Sequence, residues 1–570
     1  MSDRRSGFLV YGLLLVAAFS FRAAIARFLP NDSPGDGKIY AQIARNLLEQ
    51  HVYSHAATPP YDPSLIRLPG YPLFLAGIYA LFGHYDNTAV RIIQALIDTA
   101  SCALIALVAF HWEPDEKRKR AAAIAALALA AVCPFTAIYV STILTEIPTS
   151  LMAVAMCLTA TLAFKAPTSR RATVLWAITG LIAGIAVLFR PDSGLFAAAI
   201  GVTILLSTLF GPRRVVERSS IPKEIWRRFS RPAYCGAVFS IVFVLILVPW
   251  TIRNWRVFHL FQPLAPAHAQ MPGEFVPHGY LTWLRTWLDD ERYIGPMLWS
   301  LDELPIKLAD IPDRAFDSLQ EKLRVATLLE KYNHAQQGEE LLQTAESSPQ
   351  SLPMTSEGQA QNPRPSPEPE ISPSEETEVG DEGTPGDEGD ESDEAQESDE
   401  SETTDQDTEL QSHEPVEMTP EIDAGFAAIA HERIARAPLR YYLRLPARRA
   451  VTLWFDTHSQ YYPFEGELLP LEDLDYDIHQ QFWLPLFAGL TCIYTLLGLV
   501  GGWLLWRSRD FPARRGLLLA VLMIFLRLGF FSTVENPEPR YVVEIFPFLS
   551  ILGGIAIPQL TAFTKVVRRV

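Results

Sequence analysis

Ten apolar runs, most of them roughly 18–25 residues long, decide what this chain can become. Each is long enough to cross a hydrocarbon layer of about 30 Å as a helix rising 1.5 Å per residue. They fall at about 7–29, 87–111, 121–140, 146–164, 172–189, 193–211, 234–255, 482–506, 514–532 and 543–563. Lipid offers no partner to a backbone amide, so segments of this kind satisfy their hydrogen bonds internally, as helices. The expected fold class is an all-α polytopic membrane protein with about ten transmembrane helices.

The composition becomes informative once it is divided. The chain has 570 residues, is 49% hydrophobic and carries a formal charge of −17. Residues 357–417 alone hold 23 Asp/Glu and one basic residue, Arg364, so that stretch carries −22 and the rest of the chain +5. The acidic balance therefore says nothing about partners of the apolar part. Residues 338–420 are rich in Glu, Ser, Pro and Gly and contain no aromatic residue. Such a segment buries too little apolar area to offset its ordering entropy, and it is expected to be a disordered insertion. The five cysteines, Cys102, Cys133, Cys157, Cys235 and Cys492, all lie in apolar runs without metal-ligand spacing, which implies neither disulfides nor a zinc site.

Basic residues orient the spans. Arg4/Arg5, Lys117–Arg120, Lys165/Arg170/Arg171, the block from Arg213 to Arg231, Arg507–Arg515 and Lys565–Arg569 all fall on one side when Tyr71–Gly83 does not cross. That side is expected to be cytoplasmic and to hold both termini, with the first span uncleaved. Tyr71–Gly83, too short to span, reads as an interfacial helix. The opposite side receives residues 30–86, the turns near Glu146 and Arg190, the loop 257–481 and residues 533–542. Within the long loop, Trp283 with Trp287, and Ile422, Phe426 and Ile429, have helical spacing. Three regions follow: 1–256, 257–481 with its insertion, and 482–570.

The residues that could carry chemistry concentrate on that opposite face. Asp36 opens an amphipathic helix in the first loop, where a carboxylate can serve as a helix cap or as a general base. Arg67, in Arg67-Leu68-Pro69-Gly70-Tyr71-Pro72, suits either headgroup anchoring or a bidentate grip on a phosphate. Glu146 begins a span, a position that also favours an acid for electrostatic reasons alone. Arg190 and Asp192 flank Pro191 and could pair with each other. Arg253 follows Trp250 at a span end, as in an aromatic belt, and Arg540-Tyr541 precedes the last span. Asp98 and Arg527 lie inside spans, where a charge must be paired or face a pore. There is no P-loop, no GxGxxG at a strand–helix junction and no His/Glu metal motif, so neither ATP-driven transport nor nicotinamide chemistry has support.

Taken in order, Asp36-x3-Tyr40-x3-Ala44-x-Asn46-Leu47, Arg67-x-Pro-Gly-Tyr-Pro, Phe82-Gly83, Arg91, Thr145-Glu146, Arg190-Pro191, Pro249-Trp250-x-x-Arg253-Asn254 and Arg540-Tyr541 form a pattern. It resembles the bacterial GT-C glycosyltransferases, in the branch near the protein mannosyltransferases and the lipid A aminoarabinose transferase. The resemblance covers residues 1–260 and 482–570. It implies a sugar transferred with inversion from a polyprenyl-phosphate donor to a lipid, glycan or protein acceptor, on the periplasmic face of the inner membrane. Asp36 and Glu146 would be catalytic, and Tyr40, Arg67, Tyr71, Arg190, Arg253, Arg540 and Tyr541 would bind substrate. No cofactor is implied, divalent-metal dependence has no motif behind it, and no nucleic acid is expected. The acidic insertion departs from the family pattern. So does Gly37, which stands where a second acid is expected and favours a single base over a carboxylate pair. The alternatives are a transporter or lipid flippase, which would place charges near mid-membrane, and a non-catalytic scaffold displaying the acidic loop.

Overall fold

A computed structural model of the chain describes residues 2–32, 35–83, 85, 87–210, 221–266, 268, 270–334, 416–464 and 478–567. The segment 338–415 of the expected insertion lies outside the described residues. Among the described residues the protein is helical throughout, without strands. The helices are α1 (Ser2–Phe28), α2 (Asp36–Glu49), α3 (Gly70–Phe82), α4 (Asn87–Trp112), α5 (Lys119–Ala131), α6 (Pro134–Ala137), α7 (Glu146–Lys165), α8 (Ser169–Phe189), α9 (Gly194–Phe210), α10 (Ile221–Phe258), α11 (His278–Arg285), α12 (Leu319–Asn333), α13 (Pro420–Arg436), α14 (Leu445–Phe455), α15 (Ile478–Arg507), α16 (Phe511–Phe531) and α17 (Ile545–Val567).

Nine of the ten expected spans are each one helix, and the tenth, 121–140, is broken before Pro134. Seven are long and apolar enough to cross a membrane, and α5 with Pro134–Val140 makes an eighth, bent by 52°. The other two fall short of that measure for simple reasons. Helix α16 carries Arg514, Arg515 and Arg527, and α17 is a helix of 23 residues whose apolar stretch Ile545–Thr561 counts 17. The chain is thus a multi-pass membrane protein. Lipid-facing residues such as Leu13, Leu245, Leu499 and Trp506 are exposed, while alanines at 122, 126, 130, 153, 183 and 199 are buried between helices. Small residues let the helices approach closely, which is how spans associate without a hydrophobic driving force between them. A Cβ on Gly180 would stand 2.4 Å from the Phe239 carbonyl of α10, so α8 and α10 cross only through a glycine there.

The bend between α5 and α6 has an identifiable cause. Pro134 cannot continue the hydrogen-bond ladder. Arg22 of α1 takes up the carbonyls freed at the end of α5, donating to Ala130 and Ala131, both at 3.0 Å. Its charge is balanced by Asp98 of α4 at 2.6 Å, and both side chains are buried. The in-span charges Asp98 and Arg527 therefore do not pair with each other. Arg527 instead meets Asp192 and Glu544, each at 3.0 Å.

The long loop builds a second core on the same end of the bundle as α2 and α3. Trp283 and Trp287 of α11 and the turn after it pack on Phe426, Ile422 and Ile429 of α13. The ring centroids of Trp283 and Phe426 lie 4.9 Å apart. Val416 and Met418 are buried in this core. Across the undescribed stretch, Lys331 of α12 meets Glu421 of α13 at 2.7 Å. Arg285 joins this region to the bundle through Glu535 at 2.6 Å.

Candidate active site

The first loop is held in place from several sides. Asn46 of α2 donates to the carbonyls of Ser54 and Ala56, each at 2.8 Å, and the Tyr53 hydroxyl donates to the Arg67 carbonyl at 3.0 Å. Arg253, at the end of α10, donates to the Ser64 carbonyl at 2.8 Å, and its guanidinium lies 4.9 Å from the Trp250 ring centroid and 5.3 Å from that of Tyr53. The start of α3 then meets the end of α8. A Cβ on Gly70 would sit 2.6 Å from the Leu188 carbonyl oxygen, so only glycine permits the contact that brings Arg67 beside Phe189 and Arg190.

A cavity of about 240 Å³ results, lined by Asp36, Tyr40, Arg67, Glu146, Arg190, Arg540 and Tyr541 together with Leu68, Leu144, Phe189 and Pro266. Asp36 is the first residue of α2. Its helix is preceded by Gly35 at φ +79°, and no side-chain cap forms there. The carboxylate instead receives Arg67 Nη2 at 2.5 Å on Oδ1 and Arg540 Nη2 at 3.6 Å on Oδ2. Burial pushes its pKa up, but Arg67 and Arg540 outweigh that and hold it below the ordinary carboxylate value. The side chain remains 31% exposed. Burial raises the pKa of the Tyr40 hydroxyl, which therefore stays a neutral donor.

Behind this pair lies a buried charge cluster. Glu146, at the start of α7, accepts from Arg190 at 2.9 Å, and its other oxygen, Oε2, has no hydrogen-bond partner among the described residues. Arg190 also meets Asp192 at 3.0 Å, the mutual pair expected from their spacing. Arg540 is braced by Glu538 at 2.6 Å and by the Tyr461 hydroxyl at 3.3 Å. Burial pushes the Glu538 carboxyl above its ordinary value.

Seven of the nine residues expected at the site thus line one cavity. Tyr71 and Arg253 do not. Tyr71 is fully buried, bonds Gln94 at 2.9 Å and packs edge-on to Tyr40 with centroids 5.1 Å apart, so it backs the cavity wall. Arg253 spends its donors on the loop backbone and acts as a strut. Sequence reading missed Glu538 and Glu544 as partners and Tyr461 altogether. The only signals were two acids near Arg540-Tyr541 and a pair of tyrosines in an otherwise motif-free loop. Among the described residues no cluster of His, Cys, Asp and Glu could hold a metal ion.

Comparison with known proteins bears on this arrangement. Residues 62–223 match the model of the dolichyl-phosphate-mannose-protein mannosyltransferase family. Over those residues, under a third of its length, the chain is similar to that family. No curated protein matches the chain. Among solved structures, the chain is similar to the Archaeoglobus fulgidus oligosaccharyltransferase tethered to an acceptor peptide, at 11% identity and a TM-score of 0.44, covering 98% of this chain and 50% of that one. It therefore spans half the length of that relative. It is also similar to ArnT from Cupriavidus metallidurans bound to undecaprenyl phosphate, at 13% identity and a TM-score of 0.34, covering 97% of this chain and 78% of that one.

Proposed function

We propose that this protein transfers a sugar from a polyprenyl-phosphate donor to an acceptor, with inversion, in the cavity at the external end of its bundle. The observation that carries this reading is a single carboxylate, Asp36, held between two guanidinium groups, Arg67 and Arg540. The donor phosphate takes the place of the Asp36 carboxylate on these arginines. Asp36, released from both, regains the basicity that they suppress. An acceptor hydroxyl, positioned by Asp36, attacks the anomeric carbon. Its oxygen–carbon bond forms as the bond from that carbon to the phosphate oxygen breaks. The proton passes to Asp36, and the polyprenyl phosphate leaves with its added charge on Arg67, Arg540 and Arg190. Glu146, with one oxygen unpartnered, accepts a hydroxyl of the sugar.

The transporter reading has less support, because the mid-bundle pair of Arg22 and Asp98 is buried and mutually satisfied rather than arranged along a path. The test is a mass-spectrometric comparison of envelope lipids and proteins from cells with the intact chain, without it, and with Asp36→Asn. A sugar-sized mass lost in the last two supports transfer. A product unchanged by deletion of the chain overturns it.

A further inference from the structure

Residues 439–455 carry three side-chain stripes at a spacing of four. Leu445, Arg449 and Leu453 face inward and are buried. Leu439, Leu443, Val451 and Phe455 are 72%, 64%, 58% and 50% exposed, and Ala447 lies exposed between them. Between those two stripes run Arg440, Arg444 and Arg448. An uncovered apolar stripe beside a basic one is the pattern of a helix that lies in a membrane surface. The segment is continuous with the lipid-facing bundle. Trp454 donates to Thr495 of α15 at 2.9 Å and stacks on Phe525 of α16, which is itself 58% exposed.

Behind the basic stripe is a second cavity of about 280 Å³, distinct from the candidate active site. Arg314, Arg440, Arg444 and Arg448 line it with the rings of Trp287 and Phe316. Two carboxylates stand in it. Asp289 pairs with Arg314 and Arg448, each at 3.0 Å, and Asp317 pairs with Arg440 at 2.7 Å and, behind the cleft, with Arg436 at 2.9 Å and Arg433 at 3.4 Å. Arg444 is exposed and has no ion pair among the described residues. Arg314 also lies 3.6 Å from Asp290, so the four guanidinium groups meet three carboxylates and Arg444 is the one left for an anion, whose phosphate oxygens the planar fork of arginine suits.

We propose that residues 439–455 dock on the membrane leaflet at the cavity end of the bundle, with the arginine cleft holding the phosphate of an anionic lipid. The apolar stripe sits in the headgroup boundary, and Arg444 supplies the uncommitted charge. This inference does not depend on sugar transfer.

The test uses the full chain in lipid nanodiscs, in a Cys492→Ser background, since the other four cysteines are buried. Nitroxide labels on Leu439→Cys, Leu443→Cys and Val451→Cys should meet oxygen in the lipid more readily than an aqueous nickel reagent. Native mass spectrometry should find phosphatidylglycerol retained over phosphatidylcholine. Arg444→Gln should reduce that preference about fivefold, equivalent to ~1 kcal/mol for one arginine near a charged surface. Labels that favour the nickel reagent overturn the proposal, as does unchanged lipid retention in Arg444→Gln. Inorganic phosphate that competes as well as the lipid would show that the cleft takes the free ion, overturning the lipid assignment. A Leu443 label that responds to removal of residues 338–415 but not to lipid charge would assign this face to the chain's own acidic stretch, and would overturn it too.

Discussion

Arg540 reaches within 3.6 Å of the Asp36 carboxylate, although one opens the first loop and the other precedes the last helix. The cavity therefore closes only when the two ends of the chain have packed together. A protein lacking residues 482–570 would keep Asp36 and Arg67 but lose half of the clamp.

Replacing Asp36 with Asn preserves size and removes basicity. Turnover is expected to fall by about 10²-fold or more, the usual scale for a general base. Release of polyprenyl phosphate from a lipid-linked sugar measures it. Near-normal turnover in a well-inserted Asn variant would remove Asp36 from the mechanism.

The pH profile follows from the same pair. Arg67 and Arg540 hold the Asp36 pKa below the ordinary carboxylate value, so the group is ionised across neutral pH. Its pairing stabilises the fold above the unfolded-state pKa of about 4, and that contribution is lost as pH falls through the folded value. Arg67→Ala removes one of these influences. The acid midpoint of thermal stability should then move upward relative to the parent protein, and an unmoved midpoint would contradict the pairing.

Arg67→Lys and Arg540→Lys keep the charge but lose the planar fork. Donor affinity should drop about tenfold in each, equivalent to ~1.4 kcal/mol. Titration with a polyprenyl-phosphate sugar checks this. If lipid-phosphosugar binding is unchanged in both Arg→Ala variants, the clamp is wrong.

Asp98→Ala leaves the Arg22 guanidinium buried without its counter-ion. Breaking a buried pair by removing one partner costs roughly 3–5 kcal/mol. The melting temperature in detergent should fall sharply. A double replacement, Arg22→Met with Asp98→Leu, should recover part of the loss, but not the part due to the Ala130 and Ala131 carbonyls that Arg22 caps.

Joining Gly338 to Glu414 through a short Gly/Ser linker should leave sugar transfer intact. The composition of that stretch opposes a packed core, Lys331 and Glu421 already meet across it, and loop length adds little closure entropy. Lost transfer in a correctly inserted deletion would give the acidic stretch a role in recruiting the acceptor.

The helices were legible because each apolar run had to be one, whatever it packed against. The cavity residues were legible in part. Asp36 and Arg67 in the first loop, and Glu146, Arg190 and Arg540 near span ends, are ionisable groups that stand out against lipid-compatible sequence. Their partners were not legible, because partnership depends on how helices are rotated and spaced. Asp98 could have met Arg527, yet it meets Arg22, a residue hidden inside the first apolar run. Tyr71 and Arg253 carry the right chemistry beside the right motifs, but their donors turn to Gln94 and to the Ser64 carbonyl. Tyr461 sits in a loop whose sequence has no periodicity to place it.

Arg22 also imposes an order on how the protein is made. It lies 76 positions before its counter-ion, so the ribosome delivers the guanidinium first. An arginine at the centre of a span raises the insertion free energy by about 2.5–3.5 kcal/mol on the translocon scale, and Arg22 stands in the last third of its span. The first span, Gly7–Phe28, reaches a mean hydropathy of 2.0 over its most apolar 18 residues, which offsets that charge, and it carries a second arginine, Arg27, in its last turn. The guanidinium gains its counter-ion only when α4 supplies Asp98, so this part of the bundle cannot close on α1 before α4 has been made.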